Sequence, residues 1–440
     1  MKASIKKSIF IVLATLACTI SASAQNVLEG TWHGELNVQG TTLMLVFHFD
    51  SSECTIDSPD QGAYGIPAEI KTLDSGRAHV EVPSLGASFE GNLMFGLLVG
   101  KFKQVGMEFP LSLKRGDIER KRPQTPAGPY PYTEEEVTFT NPEDGAVLSG
   151  TLTYPADLSP ETPVVLLVSG SGLQNRDEEV YSHKPFLVIA DHLARNGVAC
   201  LRYDDRSAGK STGNAAGATT ETFKKDALAG LEYLRGLGKF SRIGLAGHSE
   251  GGTIAFLLAG EGKTDFIISL AGTATDGATV LIEQNRKILN GSGIPETAVN
   301  DYCEVLAKLY ADPDMTAEEL DQIATALPPA MKQNIHSVRE TKDPWVAHFI
   351  SFDPAGSIMN ITCPVLALNG ENDVQVIAES NIPRLKELLK DNGKNVIKTY
   401  PGLNHLFQHS ETGMPDEYGK IEETMSTEVL NDITDWIKTL

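Results

Sequence analysis

The 440-residue sequence predicts an α/β protein, with a mostly parallel sheet, helices on both faces and a helical cap, preceded by a small all-β domain. Three observations carry this prediction. From residue 133 onward, short apolar runs alternate with segments of helical period, and parallel strands need such crossovers. Residues 273–352 break that rhythm with helix-favouring sequence such as Ala317 to Ala326 and no clear strand, which reads as an inserted cap. Residues 26–113 hold only short β-type runs separated by Gly, Pro, Asp and Ser. The chain is also too long for one compact core, and its 41% hydrophobic and 22% charged residues match a folded soluble protein.

Taken in order, the chain opens with Lys2, Lys6 and Lys7 ahead of an apolar run from Ile9 to Ala17, then Ala22-Ser23-Ala24, an A-x-A cleavage site. Residues 1–24 therefore read as an export signal, with the mature chain beginning at Gln25 in the periplasm or outside the cell. A membrane anchor needs about 18 apolar residues, and this run ends earlier. Cys18 offers a second reading as a lipidated residue, but Thr15-Leu16-Ala17 lacks the leucine expected three positions ahead of it. Losing three lysines lowers the basic count from 37 to 34 against 58 acidic residues, and the net charge from −21 to −24. Such a surface repels nucleic acid and anionic lipid, and it serves solubility. Cys54, Cys200, Cys303 and Cys363 follow the signal, none at C-x-x-C or metal spacing. Cys200 and Cys363 adjoin apolar runs and read as buried thiols.

Within residues 26–113 the runs Leu43 to Phe49, His79 to Val82 and Leu97 to Phe102 are strand candidates, and Gly30-Thr31-Trp32-His33-Gly34 resembles the start of lipocalin-like barrels. Pro123, Pro126, Pro129 and Pro131 mark residues 114–132 as a linker. Val164 to Val168 and Val198 to Tyr203 are then strands, separated by a helix whose Phe186, Ile189, Ala190 and Leu193 share one face before Gly197. Phe223, Ala227, Leu231 and Leu234 give a second helical face. Ile243 to Ala246, Phe266 to Leu270, Val365 to Leu368 and Val396 to Tyr400 continue the strands. Thr253 to Ala259, a segment bearing Ile382, Leu385 and Leu389, and a last one bearing Ile421, Met425, Ile433 and Trp436 continue the helices.

Gly247-His248-Ser249-Glu250-Gly251 fits G-x-S-x-G, with a strand before it and an apolar helix after it. Glycines on both sides let a sharp strand-to-helix turn present the serine at the carboxyl edge of the sheet, where active sites of such sheets lie. Serine needs a base, and the base needs a carboxylate that fixes its tautomer, in the chain order Ser, Asp or Glu, His. Asp373, in Leu368-Asn369-Gly370-Glu371-Asn372-Asp373, is the candidate acid, with Glu371 as rival. His405, just past the strand ending at Tyr400, is the candidate base. His409 reads as a surface histidine, and His248 points away from Ser249 because neighbours at a sharp turn diverge. The oxyanion hole would combine the backbone N–H of Glu250 with one from Ser169-Gly170-Ser171-Gly172, preferably that of Ser171, with Gly172 or Leu173 as alternatives.

Val168 to Asp177, Arg202-Tyr203-Asp204-Asp205-Arg206, Gly247 to Gly252 and Leu368 to Asp373 together resemble bacterial α/β-hydrolase esterases of the serine-aminopeptidase-like branch, over residues 133–440. The resemblance implies carboxylesterase activity on short acyl esters, a small-molecule substrate, and no metal or organic cofactor. Ser207 departs from the pattern, since the family more often has glycine after the arginine. Arg176, Asp177, Asp204, Asp205 and Arg206 read as loop-bracing ion pairs in preference to substrate contacts. Trp345, His348 and Phe349 close the cap, and Trp345 and Phe349 are candidate substrate-binding residues, with plain cap-to-core packing as the alternative.

Four functions compete on this reading. Ester hydrolysis through an acyl-enzyme leads, and an amide-cleaving peptidase uses the same triad. Acyl-CoA thioester cleavage is disfavoured by export and by the acidic surface. A non-catalytic binding protein is disfavoured because every triad position is filled.

Overall fold

The computed structural model describes residues 27–440 apart from 39, 40, 51, 62, 105, 119 and 120. The export signal at residues 1–24, its cleavage site and Cys18 lie outside the described residues. The chain divides into two compact units, one ending at Ile118 and one beginning at Glu119.

The first unit is a closed barrel of eight strands: β1 (Gly30–Val38), β2 (Thr41–Phe49), β3 (Cys54–Ser58), β4 (Ala63–Asp74), β5 (Arg77–Val82), β6 (Ala87–Met94), β7 (Leu97–Gln104) and β8 (Met107–Arg115). Each strand pairs antiparallel with the next, and β1 closes on β8 through Trp32 opposite Arg115. Alternation decides which side chains turn inward, as in β5, where Ala78, Val80 and Val82 are buried and their neighbours are not. Phe47, Phe89, Leu98, Leu111 and Leu113 fill the interior, the rings of Phe47 and Phe89 lying 5.1 Å apart. Eight strands leave an interior that side chains can fill, and here they do.

The second unit starts with a strap. Arg122 donates from its guanidinium to the carbonyls of Tyr181, Gly419 and Ile421, and Gln124 Oε1 accepts from the amides of Thr424 and Met425. The strap leads into an eight-stranded sheet of β9 (Tyr132–Thr140), β10 (Val147–Pro155), β11 (Val164–Val168), β12 (Ala199–Tyr203), β13 (Ile243–His248), β14 (Phe266–Leu270), β15 (Val365–Gly370) and β16 (Val396–Tyr400). Spatial order is β16-β15-β14-β13-β11-β12-β10-β9. The expectation of a mostly parallel sheet is corrected here: the sheet is mixed. β11 through β16 pair in parallel, but β9 pairs antiparallel with β10 and β10 antiparallel with β12. The turn between β9 and β10 is too short for a crossover, so the two must run antiparallel. The sequence pattern hid β9 because it carries Glu134, Glu135 and Glu136 on an edge, where charge discourages pairing with another chain, and hid β10 because Ser149, Gly150, Thr151 and Thr153 interrupt its apolar residues.

Helices α1 (Pro185–Arg195), α2 (Thr220–Leu237) and α3 (Glu250–Gly260) connect the central strands. α4 (Gly277–Gly291), α5 (Glu296–Ala311), α6 (Ala317–Ile323), α7 (Pro329–Glu340), α8 (Pro344–Ser351) and α9 (Ala355–Ile358) lie between β14 and β15. α10 (Ala378–Leu388), α11 (Pro415–Tyr418) and α12 (Thr427–Lys438) complete the unit. The strand period of two divides the core into two layers. Val164, Leu166 and Val168 pack with Leu231 of α2, Ile254 of α3 and Leu385 of α10. Val165 and Leu167 pack with Ile189 of α1 and Ile433 of α12 on the other face. A strand buried on both faces reads as one continuous apolar run, which is why β11 is Val-Val-Leu-Leu-Val. The segment between β14 and β15 has its own core of Val299, Tyr302, Leu306, Leu320 and Ile335.

The last helix is shorter than its apolar spacing predicts. Ile421 and Met425 precede it, because the amides of Thr424 and Met425 bond to Gln124 and that of Ser426 to the Phe407 carbonyl, leaving no i→i−4 ladder there.

Candidate active site

Ser249 stands between β13 and α3 with φ 53° and ψ −117°. A non-glycine residue at such a φ is held by its surroundings, and those surroundings are tight. A Cβ on Gly247 would lie 1.9 Å from the Gly251 carbonyl oxygen, and one on Gly251 2.1 Å from that of Val168. The turn therefore closes only with glycine at both positions. The Ser249 amide donates to the Leu270 carbonyl at 2.8 Å, which locks the turn to β14.

Asp373, three residues past β15, is 1% exposed. Its Oδ1 accepts the amides of Gln375 at 2.8 Å and Val376 at 2.9 Å, and its Oδ2 accepts from His405 Nδ1 at 2.8 Å and from Asn369 Nδ2 at 3.3 Å. A carboxylate only accepts, so Nδ1 of His405 carries the proton and Nε2 is left as the acceptor. His405 is buried on the loop after β16, which Asn404 shapes by accepting the amides of Leu406 and Gln408. The rival Glu371 is exposed, while Asp373 holds the histidine. His409 is exposed and paired with Glu423 at 2.8 Å. His409→Ala is therefore expected to leave ester turnover within about twofold of the parent, as surface substitutions do, whereas His405→Ala removes it. Nitrophenyl-ester assays of the two variants check this.

The amide of Glu250 is the first of α3 and has no helical partner of its own. The loop Ser169 to Gly172 lies against Ser249, since a Cβ on Gly170 would come within 3.2 Å of Ser249 Cβ. Glu178 Oε1 takes the Gly170 amide at 2.7 Å, and among the described residues the Ser171 amide makes no hydrogen bond. The side chain of Glu250 turns the other way, accepting from Thr220 Oγ1 at 2.6 Å and from Trp345 Nε1 at 2.8 Å. Trp345 thus ties α8 to the residue after Ser249. Its ring stacks on Phe349 at 5.1 Å, and Phe349 itself is buried against α4, where its carbonyl would meet a Cβ on Gly277.

The charged residues at the strand ends brace loops. Arg176 grips Asp204 with Nε at 3.2 Å and Nη2 at 2.8 Å, Arg202 pairs with Asp177, and Arg206 grips Asp226 with two bonds of 2.7 Å. Asp205 accepts from Ser169 Oγ and the Gln174 amide, and burial pushes its carboxyl up to about 7. Ser207 has φ 63°, which explains a preference for glycine there, and its Oγ donates to the Gly213 carbonyl at 2.9 Å. Sequence reasoning missed the parts played by Glu178 and Thr220, which lie in no motif, and by Asn369, which lies in the Leu368 to Asp373 motif but shows its bond to Asp373 only in the fold. No group of three or more His, Cys, Asp or Glu among the described residues is placed to hold a metal ion. No helix among them is long and apolar enough to cross a membrane.

A family model described as serine aminopeptidase, S33, matches residues 182–412, more than half of the chain and the whole stretch from Ser249 to His405. The chain belongs to the serine aminopeptidase S33 family. Within reach of this α/β-hydrolase family, the chain is 27% identical over 312 residues to Esterase EstD of Thermotoga maritima, covering 70% of this chain and 68% of EstD. Among solved structures it is similar to ferulic acid-bound Est1E from Butyrivibrio proteoclasticus, at 18% identity and a TM-score of 0.44, covering 67% of this chain and 96% of that one. It is also similar to the Pyrococcus furiosus esterase Pf2001, at 16% identity and a TM-score of 0.44, covering 73% and 99%.

Proposed function

We propose that this S33-family protein hydrolyses carboxylic esters, with short acyl chains preferred, through an acyl-enzyme on Ser249. The observation that carries the proposal is the buried Asp373–His405 pair, with His405 Nε2 left as the acceptor, on the same sheet edge as a serine held at positive φ. Ser249 attacks the ester carbonyl, and His405 takes its proton and returns it to the leaving alcohol. Asp373 holds the imidazole in the required tautomer and balances its transient charge. The amides of Glu250 and Ser171 receive the oxyanion. The relative EstD is named an esterase, which supports the same choice.

Amide cleavage is the second reading, favoured by the description of the family as a serine aminopeptidase. A panel of nitrophenyl esters of increasing acyl length, assayed beside aminoacyl-nitroanilides, separates the two: the ester reading expects the highest kcat/KM on short esters, and a preference for the anilides overturns it. We also propose that residues 1–24 are an export signal that carries the enzyme to the periplasm or outside the cell, away from acyl-CoA, and a secreted product beginning at Gln25 is the expected result of N-terminal sequencing.

We further propose that Trp345, anchored through Glu250, walls the acyl site, with Phe349 packed behind it. Trp345→Ala is then expected to change the ranking of kcat/KM across acyl lengths, one methylene in an apolar pocket being worth about 1 to 3 kcal/mol. Labelling of Ser249 by a phosphonylating probe persists. A variant that loses thermal stability but keeps the parent ranking assigns Trp345 to packing alone.

A further inference from the structure

We propose that His248 is a positioning residue, held as an imidazolium by Glu178, that ties the oxyanion loop to the loop carrying the general base. The inference rests on the assignment of Ser249 and His405 above. Glu178, between β11 and α1, is 4% exposed, and its Oε1 accepts both the Gly170 amide at 2.7 Å and His248 Nδ1 at 3.0 Å. On the other side of the ring, His248 Nε2 lies 2.9 Å from the main-chain carbonyl of His405. A carbonyl oxygen only accepts, so Nε2 bears a proton. Facing Glu178, the proton belongs to the imidazole, because the same Oε1 already acts as an acceptor toward the Gly170 amide and a carboxylate only accepts. With a proton on each nitrogen, the ring is cationic.

The surroundings agree. Burial opposes the charge on His248, but the Glu178 carboxylate and the bond to the His405 carbonyl outweigh it and raise its pKa above the usual histidine value. The titratable groups that face the ring are Glu178, His405 with its ring 4.7 Å away, and Asp373, and Asp205 stands behind Glu178. Phe186, Leu270, Leu406 and Met425 line the rest, in a space with no room for water. The pair therefore has no solvent partner to exchange for its protein ones.

The geometry has two effects on the reaction. Glu178 takes the amide of Gly170, which fixes the start of the loop and leaves the amides after it, those of Ser171, Gly172 and Leu173, without a hydrogen bond among the described residues. His248 holds the main chain of His405, while Asp373 holds its ring, so the base is fixed at both ends. Displacements of about 1 Å in such groups cost on the order of 100-fold in rate.

The first test is ¹⁵N NMR of the imidazoles in the full-length Ser249→Ala protein at pH 7.5, with His248 assigned by its loss in a Ser249→Ala/His248→Gln protein. Both His248 nitrogens are expected to be protonated at a pH where a free histidine is neutral. A neutral imidazole there overturns the proposal. The second test is Glu178→Gln and His248→Gln on nitrophenyl acetate, with the folded fraction measured by near-ultraviolet circular dichroism. A drop of about 10- to 100-fold in kcat with KM held within about threefold is expected, with partial recovery in Glu178→Asp. Parental kcat in the folded fraction, with only thermal stability lowered, assigns the pair to folding and overturns the proposal. Retained turnover in Ser249→Ala alone is a failure of the esterase mechanism, and it leaves the protonation of His248 readable on its own.

Discussion

Ser249→Ala is expected to keep the fold and to lower ester turnover by about 10⁶-fold, equivalent to about 8 kcal/mol of transition-state stabilisation. The fold survives because Ser249 is anchored by its backbone, its amide bonded to the Leu270 carbonyl, and because alanine accepts the same turn no worse than serine does. What is lost is the covalent route. The oxyanion donors and the binding site remain, so a residual rate above that of water is expected. The comparison is made on matched preparations, with circular dichroism for the fold and nitrophenyl-ester hydrolysis for the rate. Turnover near the parent value in a clean preparation places the nucleophile elsewhere.

Asp373→Asn is expected to cost about 10⁴-fold in kcat. Asn at 373 still accepts through its oxygen, and the amides of Gln375 and Val376 supply enough bonds to keep that oxygen facing them. The amide nitrogen then faces His405 Nδ1 and donates to it, which moves the imidazole proton to Nε2 and leaves Ser249 without a base. The same change also removes a buried negative charge that would balance the imidazolium in the transition state. Glu371→Gln, at an exposed position, is the control and is expected to stay within about twofold of the parent. If Glu371→Gln is the crippling change, the acid is misassigned.

What the sequence makes legible depends on range. The strands β11 to β16 and the helices that cover them follow from local periodicity, because each is buried on a face that its own residues define. The strand β9 escaped because an edge strand needs only part of one face to be apolar, and three consecutive glutamates outweigh Val137 and Phe139 in any local window, while β10 escaped because Ser149, Gly150, Thr151 and Thr153 interrupt its apolar residues. The start of the last helix escaped for a different reason: the competing acceptor, Gln124, lies 300 positions away from Thr424. The same distinction holds at the site. Ser249 is read from a turn whose glycines are its own neighbours, and Asp373 and His405 from their positions just beyond strand ends. Glu178 is defined by two partners, Gly170 and His248, that no spacing rule connects, so only the folded chain reveals it.

The strap at Arg122 and Gln124 carries a practical lesson about where this enzyme can be cut. By strand content the catalytic unit begins at Tyr132, and a shortened gene would naturally start there. Such a protein would keep all eight strands of the sheet and every residue of the proposed triad. It would nevertheless release the carbonyls of Tyr181, Gly419 and Ile421 to solvent, together with the amides of Thr424 and Met425 that now border the loop of His405. Loops with few remaining bonds open by local unfolding long before the sheet does. A minimal enzyme that stays active on heating therefore has to begin upstream of Arg122, so the ten residues that look like a spacer belong to the catalytic half of the molecule.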